Sequence, residues 1–205
     1  MLISGGGSAL IPYPVETISL DEKIATTNLL LACGATIHEI NCVRKHLSQL
    51  KGGQLAKLIA PAKCQALILS DVLDDDLSVI ASGTTVADET TFADAVAILK
   101  NKNVWQSVPE SVRKHLEKAD CETPKSLENV QNNLIGSNAM SVKAAIEMAE
   151  KLGFSVTCYD YPLCGEAREV AEQFVLNVKN TALENEKIAF ITGGETTVIL
   201  RGNGK

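Results

Sequence analysis

Short apolar blocks alternate with longer blocks of mixed polarity along the chain, and the two kinds of block predict strands and helices in turn. Residues 64–69 form a continuous apolar run of strand length, which is typical of a parallel strand buried on both faces. Shorter apolar runs predict further strands at 1–3, 79–81, 133–135, 154–159, 188–191 and 197–200.

Helices are predicted where apolar residues recur every three or four positions, at 20–33, 36–50, 55–59, 91–99, 141–152 and 168–183. Ser19 and Glu22 have the spacing of a capping box, and Gly34 has the residue type of a C-terminal cap. The apolar positions expected to face the core are Ile24, Leu30 and Leu31 in the first helix and Ile37, Ile40, Val43 and Leu47 in the second.

This order of elements predicts βαβ units and therefore an α/β fold, with a mostly parallel sheet flanked by helices. The polar stretch 101–129 contains Pro109 and Pro124 and is the best candidate for a boundary. We therefore expect one α/β domain over 1–128 and further α/β units over 129–205.

Composition restricts the class of protein. A chain of 205 residues with 45% hydrophobic and 21% charged residues is globular, and 4% aromatic residues imply an aliphatic core. The net charge of −6 lacks the basic excess of a nucleic-acid-binding domain. No apolar run approaches the roughly 18 residues of a membrane helix, and no secretion signal is recognisable at the N-terminus.

Six cysteines occur in the sequence, and no two of them are spaced as CxxC. This spacing excludes zinc knuckles and thioredoxin-type motifs. Several of the cysteines lie in apolar periodic segments, where a thiol behaves as a small hydrophobe. We expect reduced thiols and a cytoplasmic protein.

A glycine-rich loop, Ser4–Ser8, follows the first predicted strand. Three glycines in succession let backbone N–H groups approach a phosphate or carboxylate, although the same residues also suit a flexible turn. Leu10 stands where a dinucleotide fingerprint requires its third glycine, and the sequence contains no Walker A motif.

Asn41, Arg44, Lys45 and Ser48 fall on one side of the second predicted helix, and Lys51 follows it. Two cations and two hydrogen-bonding side chains in one stripe can clamp a carboxylate or phosphate. A solvated helix face is the alternative. His38-Glu39 lacks the second histidine of a zinc-protease motif, and neither His46 nor His115 gives a signal beyond a satisfied or solvated side chain.

Acidic residues follow the strand predicted at 64–69: Asp71, Asp74, Asp75 and Asp76. Ligands of open α/β sheets bind beyond the carboxyl ends of the strands, and clustered carboxylates suit Mg²⁺. Asp71 is alternatively a general base, and the whole run is alternatively an acidic surface turn. Small-residue loops after other strands would line the same sheet edge; they include Ser82, Gly83, Asn138 and Glu195.

Taken together, these segments resemble the glycerate 2-kinase family, whose members are often named hydroxypyruvate reductase and whose C-terminal domain is called MOFRL. The matching segments are SGGGSAL (4–10), ATIHEINCVRKHLS (35–48), KGG (51–53), SDV and DD (70–76), VIASG (79–83), GSN (136–138) and GGETTV (193–198). The sequence departs from the family pattern at Leu73-Asp74, where Pro-Gly is usual, and at Thr84, where Pro is usual.

The resemblance implies phosphorylation of D-glycerate to 2-phosphoglycerate with ATP and Mg²⁺, on two α/β domains of which the first is Rossmann-like. It implies that Arg44, Lys51 and Asn41 hold substrate or phosphate charge, and that Asp71 binds Mg²⁺ or accepts the hydroxyl proton. Asp75 is the second expected metal ligand. The groups expected to receive an anion are the backbone of Gly5, Gly6 and Gly7 and the hydroxyl of Ser8.

Members of that family are about twice as long, so the resemblance also predicts that this chain is an internal piece with weak or absent turnover. Apolar surface exposed in such a piece favours a homo-oligomer. A non-catalytic module that binds a nucleotide or small anion is the main alternative. A nicotinamide-dependent reductase is disfavoured because the dinucleotide fingerprint is missing.

Overall fold

The computed structural model describes residues 1–158, 162–181, 187–199 and 202. The chain divides into two compact units. The first unit comprises Met1–Ser70 and Asp75–Ile135, and the second comprises Asp71–Asp74 and Gly136–Lys205. The domain boundary at 128 that the sequence suggested stays a prediction.

The first unit contains a three-stranded sheet, in the order β1 (Leu2–Ile3), β2 (Cys64–Leu69) and β3 (Val130–Gly136). Strand β1 runs parallel to β2, with Leu2 opposite Leu67 and Ile3 opposite Ile68. The elements of this part of the chain are β1 (Leu2–Ile3), α1 (Gly7–Leu10), α2 (Leu20–Ala32), α3 (Ile37–His46), α4 (Gln54–Ile59), β2 (Cys64–Leu69), α5 (Phe92–Asn101), α6 (Glu110–Lys118) and β3 (Val130–Gly136).

The principal core lies among helices α2, α3, α5 and α6 and is mainly aliphatic, as the low aromatic content predicts. Its fully buried members include Leu30, Val43, Leu99 and Val112. Each burial of a leucine or valine side chain contributes about 1.5–3 kcal/mol, so this layer fixes the position of α3.

Three helices begin at a capping box, which explains where they start. Ser19, Thr36 and Thr91 each accept from the backbone three residues later, and a carboxylate at that position accepts from the cap residue. A cap of this kind contributes about 1 kcal/mol. The box predicted at Ser19 and the glycine at Gly34, whose φ is 70°, are confirmed.

The second unit contains a βαβ arrangement in which β4 and β5 pair in parallel, with Ser155 opposite Ile188 and Cys158 opposite Ile191. Its elements are α7 (Asn138–Lys151), β4 (Ser155–Cys158), α8 (Ala167–Thr181) and β5 (Ile188–Ile191). Parallel pairs in both units confirm the α/β prediction. The predicted ends of β4 at residue 159 and of α8 at 182–183 lie outside the described residues.

Two predicted strands are wrong. Residues 79–81 form no strand, because the φ of 51° at Ala81 and of 56° at Ser82 excludes extended backbone. Ile80–Ser82 is a 3-10 turn instead. Of the strand expected at 197–200, Thr197 makes only an isolated bridge to Glu166, and Leu200 lies outside the described residues.

The apolar stripes were only partly correct. Ile24, Leu31 and Ile37 are exposed, whereas Leu30, Ile40, Val43 and Leu47 are buried as predicted. The buried face of α2 is formed by Lys23, Thr26 and Leu30, so a lysine occupies a position where the pattern predicts solvent. Helix α3 ends at His46 rather than at residue 50, because Ser48 turns back to pair with Pro14.

All six cysteines lie among the described residues and all are free, as expected. None of the helices in the described ranges combines the length and the apolarity needed to cross a membrane.

Candidate anion-binding site

The glycine-rich loop is a tight turn between β1 and α1. The N–H of Gly7 donates to the carbonyl of Ser4 at 3.3 Å, and Gly6 adopts φ 74°, a left-handed conformation that glycine adopts without strain. A Cβ on Gly7 would lie 3.5 Å from the Cβ of Ala81. The loop is therefore held against the turn at Ile80–Ser82.

Two cations reach the last residue of this loop. Lys51 is completely buried, and its Nζ donates to the carbonyl of Ser8 at 2.7 Å and to the Ser8 hydroxyl at 3.0 Å. Arg44 on α3 donates from Nη2 to the same carbonyl at 3.3 Å. The structure thus brings Arg44 and Lys51, grouped from the helix pattern, together with Ser8, which was predicted separately in the glycine-rich loop.

The backbone around Lys51 is fixed by the turn that contains Ser82. The N–H of Gly52 donates to the carbonyl of Ser82 at 2.9 Å, and the N–H of Gly53 donates to that of Gly83 at 2.7 Å. Gly53 has φ 77°, and a Cβ there would lie 2.8 Å from the carbonyl oxygen of Val86. Only glycine fits this position, and the two loops hold Lys51 in place together.

A directional hydrogen-bond chain connects the glycine-rich loop to α3. Asn41 Oδ1 can only accept, so the hydroxyl of Ser82 donates to it at 3.0 Å. Ser82 must then accept from Ser8 at 2.7 Å, and Ser8 accepts from Lys51. The single hydroxyl proton of Ser8 points into the protein, so Ser8 acts by holding Lys51 rather than by donating to a ligand.

Lys23 is a member of this cluster that the sequence analysis missed. It is 4% exposed, and its Nζ has no hydrogen-bond partner among the described residues. Burial, with a smaller contribution from Arg44, lowers its pKa to about 8. Burial also lowers the pKa of Lys51 to about 7, with contributions from Arg44 and Lys23. The only sequence signal for Lys23 is its helical spacing, three residues before Thr26 and seven before Leu30. Because it is charged, a hydrophobic pattern assigns it to the exposed face.

Lys45 lies in a different environment from its neighbour Arg44. Its Nζ pairs with Asp88 at 3.1 Å, and both side chains are buried. Burial raises the pKa of Asp88, but the charge of Lys45 and hydrogen bonds from Thr90 and Thr123 outweigh it and hold the pKa below its usual range. Asp88 was also missed from sequence, because no local pattern marks it.

His46 belongs to the same buried network. It contacts the carbonyl of Cys42 at 2.8 Å and Glu122 at 3.3 Å, which confirms that it is a satisfied histidine. A cleft of about 380 Å³ lies beside this network, lined partly by Asn41 and Lys45. Asn41 therefore borders the cleft and also ends the hydrogen-bond chain from Lys51.

The acidic loop is divided between the two units. Asp71 and Asp74 are exposed, and Asp75 adopts φ 55° with one buried carboxylate oxygen that has no hydrogen-bond partner among the described residues. Asp76 accepts from the N–H of Ser78 at 2.8 Å. Within the part of the chain that is described, no three His, Cys, Asp or Glu side chains group as metal ligands. The roles of Asp71 and Asp75 stay predictions.

Asn138 and Glu195 lie in the second unit. Asn138 is the first residue of α7, and a Cβ on Gly193 would collide with its Oδ1. Glu195 is exposed, and its N–H donates to the carbonyl of Leu163 at 3.1 Å. The loop at Gly193 is thus packed on the start of α7, and the ligand-binding roles of both residues stay predictions.

Comparison with known proteins gives the family. Residues 1–117 match a family described as "Domain of unknown function (DUF4147)". The chain is 45% identical, over its full length, to the Glycerate 2-kinase of Pyrococcus horikoshii, of which it covers 48%. It is 42% identical over 99% of its length to the D-glycerate 2-kinase of Thermotoga maritima, of which it covers 48%.

A solved structure of glycerate kinase from Thermotoga maritima superposes on the whole chain with a TM-score of 0.85 at 43% identity, and 49% of that structure is covered. The PH0495 protein of Pyrococcus horikoshii gives 0.81 at 47% identity, over 99% of this chain and 48% of that one. The chain spans about half the length of the curated relatives it matches. The resemblance to glycerate 2-kinases is confirmed.

Proposed function

This chain belongs to the DUF4147 family, and from that membership and its buried cationic site we propose that the protein is a kinase that uses ATP to phosphorylate D-glycerate to 2-phosphoglycerate. The observation that carries the proposal is the convergence of Arg44 and Lys51 on Ser8 at the end of the glycine-rich loop. The identity of the substrate is inferred from relatives that are named glycerate 2-kinase.

Phosphoryl transfer depends mainly on positioning and charge neutralisation, so buried cations are the groups it requires. Arg44 and Lys51 would hold phosphate or substrate charge, and the backbone N–H groups of Gly5 and Gly6 would be offered to the same anion. The N–H of Gly7 already donates to the carbonyl of Ser4. Ser82, Gly83 and Asn41 keep Lys51 and Ser8 in position through the hydrogen bonds described above. Lys45 is the remaining proposed contact, although it is already paired with Asp88.

Mg²⁺ fits the acidic loop on one observation. A carboxylate oxygen of Asp75 is buried without a hydrogen-bond partner among the described residues, and Mg²⁺ prefers oxygen ligands. When bound, the ion would neutralise charge on the nucleotide phosphates. Asp71 is proposed, from the resemblance, as the other ligand or as the base for the glycerate hydroxyl. Ligand-binding roles for Asn138 and Glu195 are proposed from the resemblance alone.

A non-catalytic module that binds a nucleotide or small anion is the second candidate. Such a module would need only the first unit, to which Arg44, Lys51 and Ser8 all belong. The relatives named glycerate kinase favour the kinase instead. Cytoplasmic location and self-association also remain proposals, and the six free cysteines agree with the former.

The two candidates separate in one experiment. The 205-residue chain is titrated calorimetrically with MgATP and with D-glycerate, and release of ADP is followed in parallel. Binding with glycerate-dependent ADP release supports the kinase. Binding of MgATP without ADP release supports the anion-binding module, and heat from neither ligand refutes both.

Arg44→Ala provides the test of the site. We expect it to reduce kcat/KM by about 10- to 150-fold, because a charge-assisted hydrogen bond to a phosphate contributes about 1.5–3 kcal/mol. Arg44 also donates to the carbonyl of Ser8. Arg113→Ala is the matched control, since Arg113 bonds to Gln106 on an exposed surface. A loss of less than threefold for Arg44→Ala would remove the proposed clamp.

A further inference from the structure

Lys23 is a buried ammonium group for which the described residues provide no hydrogen-bond partner. It lies on the inner face of α2 with Thr26 and Leu30 and is 4% exposed. Its Nζ finds no hydrogen-bond acceptor in the described part of the chain. Burial of an unpaired charge destabilises the folded state by several kcal/mol, and binding of an anion would offset that cost.

Three cations from three segments interact electrostatically near the carbonyl of Ser8, to which Arg44 and Lys51 both donate. Burial lowers the pKa of Lys23 and of Lys51, which precedes α4, and the charge of Arg44 on α3 contributes to both shifts. Lys23 contributes to the shift of Lys51 as well. The ion pairs found among the described residues include none of the three. In a chain whose net charge is −6, this concentration of unpaired positive charge favours an anion as ligand.

The donors that remain define the chemistry of that anion. Lys51 uses two of its three N–H groups on Ser8, Arg44 uses one of its five, and Lys23 uses none. The hydroxyl proton of Ser8 is already given to Ser82. The three side chains thus present N–H donors and no acceptor, which suits a fully ionised group.

We propose that Lys23, Arg44 and Lys51 together bind a doubly charged phosphoryl group, with Lys23 as its third cationic ligand. A phosphoryl group offers three terminal oxygens and two negative charges, whereas the carboxylate of glycerate offers two oxygens and one charge. The assignment rests on the proposed kinase function for its biological ligand. That ligand is either the end of the nucleotide triphosphate or the phosphate of the product.

Binding has a proton signature. The groups that face Lys51 are Lys23 from α2, Arg44 from α3 and Ser8 from the glycine-rich loop. At pH 8 a lysine of pKa about 7 is mostly neutral and one of pKa about 8 is half neutral. A bound phosphoryl dianion favours the charged form of both, so the chain takes up about 1.4 protons if both become fully charged.

The test is calorimetric titration of the 205-residue chain with inorganic phosphate at pH 8, in two buffers of different ionisation enthalpy. We expect binding with uptake of about 1.4 protons. Lys23→Met should weaken phosphate binding at least 10-fold, because one charge-assisted hydrogen bond is lost, and should reduce proton uptake by at least half a proton. Lys118→Met, at an exposed ion pair, should change neither.

Thermal unfolding excludes loss of structure as the explanation. Lys23→Met removes a buried charge and keeps similar volume, so Tm should stay equal or rise while phosphate affinity falls. Unchanged phosphate affinity in Lys23→Met, binding without proton uptake, or no binding of phosphate by the unsubstituted chain would each overturn the assignment.

Further titrations identify the source of the phosphoryl group. Competition with phosphate by MgATP alone assigns the site to the nucleotide, and competition by 2-phosphoglycerate alone assigns it to the product. D-Glycerate that displaces phosphate with equal affinity would overturn the preference for a phosphoryl group. Phosphate binding without kinase turnover would refute the kinase and keep this site, whereas turnover unaffected by Lys23→Met would refute this site and keep the kinase.

Discussion

The buried ion pair between Lys45 and Asp88 provides a sharp test of what stabilises the first unit. Asp88 accepts from Lys45 at 3.1 Å and from Thr90 at 2.8 Å through Oδ1, and from Thr123 at 2.9 Å through Oδ2. Asp88→Asn keeps the shape of the side chain and removes its charge. The variant therefore leaves Lys45, whose side chain is 6% exposed, as a buried cation without its counter-ion.

The magnitude follows from that burial. Breaking a buried pair by removing one partner destabilises a protein by about 3–5 kcal/mol. A domain has only about 5–15 kcal/mol of stability, so we expect Asp88→Asn to remove a large fraction of it.

Urea unfolding measured by tryptophan fluorescence is the assay. Trp105 is the single tryptophan of the chain, and it packs on the core of the first unit, so its signal reports that unit. Glu110→Gln is the control, since its ion pair with Lys114 is exposed and should contribute little to stability.

A double variant checks the physical cause. Lys45→Met combined with Asp88→Leu removes both charges and should recover much of the stability that Asp88→Asn loses. If Asp88→Asn costs less than 1 kcal/mol, or if the double variant is less stable than Asp88→Asn, the unpaired cation is not the cause and the reasoning fails.

Two further predictions concern the same unit. Gly53→Ala should lower the free energy of unfolding in urea by more than about 2 kcal/mol, because φ there is 77° and the new Cβ would lie 2.8 Å from a backbone carbonyl oxygen. Gly34→Ala, with open space around it, should lower it by about 1 kcal/mol. Equal losses would contradict this prediction. The pKa of Asp88 is depressed in the folded state, so its stabilisation is present above the unfolded pKa of about 3.9 and is lost as pH falls through the folded pKa. The stability difference between the unsubstituted chain and Asp88→Asn should accordingly shrink below about pH 4 in acid titrations, and a constant difference would argue against it.

Elements with local signals were predicted well from the sequence. Helix α2 begins at Leu20 because Ser19 and Glu22 bond to each other's backbone, and that motif occupies only four residues. Strand β2 matches its predicted range because its apolar run has the length of a strand. The burial expected on both faces is wrong, since only Ala66 and Ile68 are buried and Leu69 is exposed. Neither inference needs knowledge of distant residues.

Elements fixed by distant contacts were not predictable in this way. The apolar residues 79–81 favour a strand, yet the carbonyls of Ser82 and Gly83 accept from Gly52 and Gly53, some thirty positions earlier. In the segment that makes those bonds, the three consecutive residues 81–83 have a left-handed backbone conformation, which a strand cannot contain. A tertiary contact therefore overrides the local propensity.

The residues of the candidate site likewise divide into those with a local sequence signal and those fixed by distant contacts. Helical spacing grouped Arg44 with the later Lys51, and both do contact Ser8. Lys23 could not be recognised, because a hydrophobic pattern treats every lysine as exposed. Asp88 could not be recognised either, because its partner Lys45 lies 43 positions away.

Adjacent positions on α3 therefore carry two kinds of cation, distinguished by whether the fold provides a counter-charge. Lys45 has Asp88, so removing either charge alone should lower stability. Arg44 belongs to the group with Lys23 and Lys51, for which the described residues provide no carboxylate partner. Removing a charge from that group should relieve repulsion in the free protein and weaken the binding of a phosphoryl group. Opposite signs in stability, measured on the same fold, would separate a structural charge from one retained for a ligand.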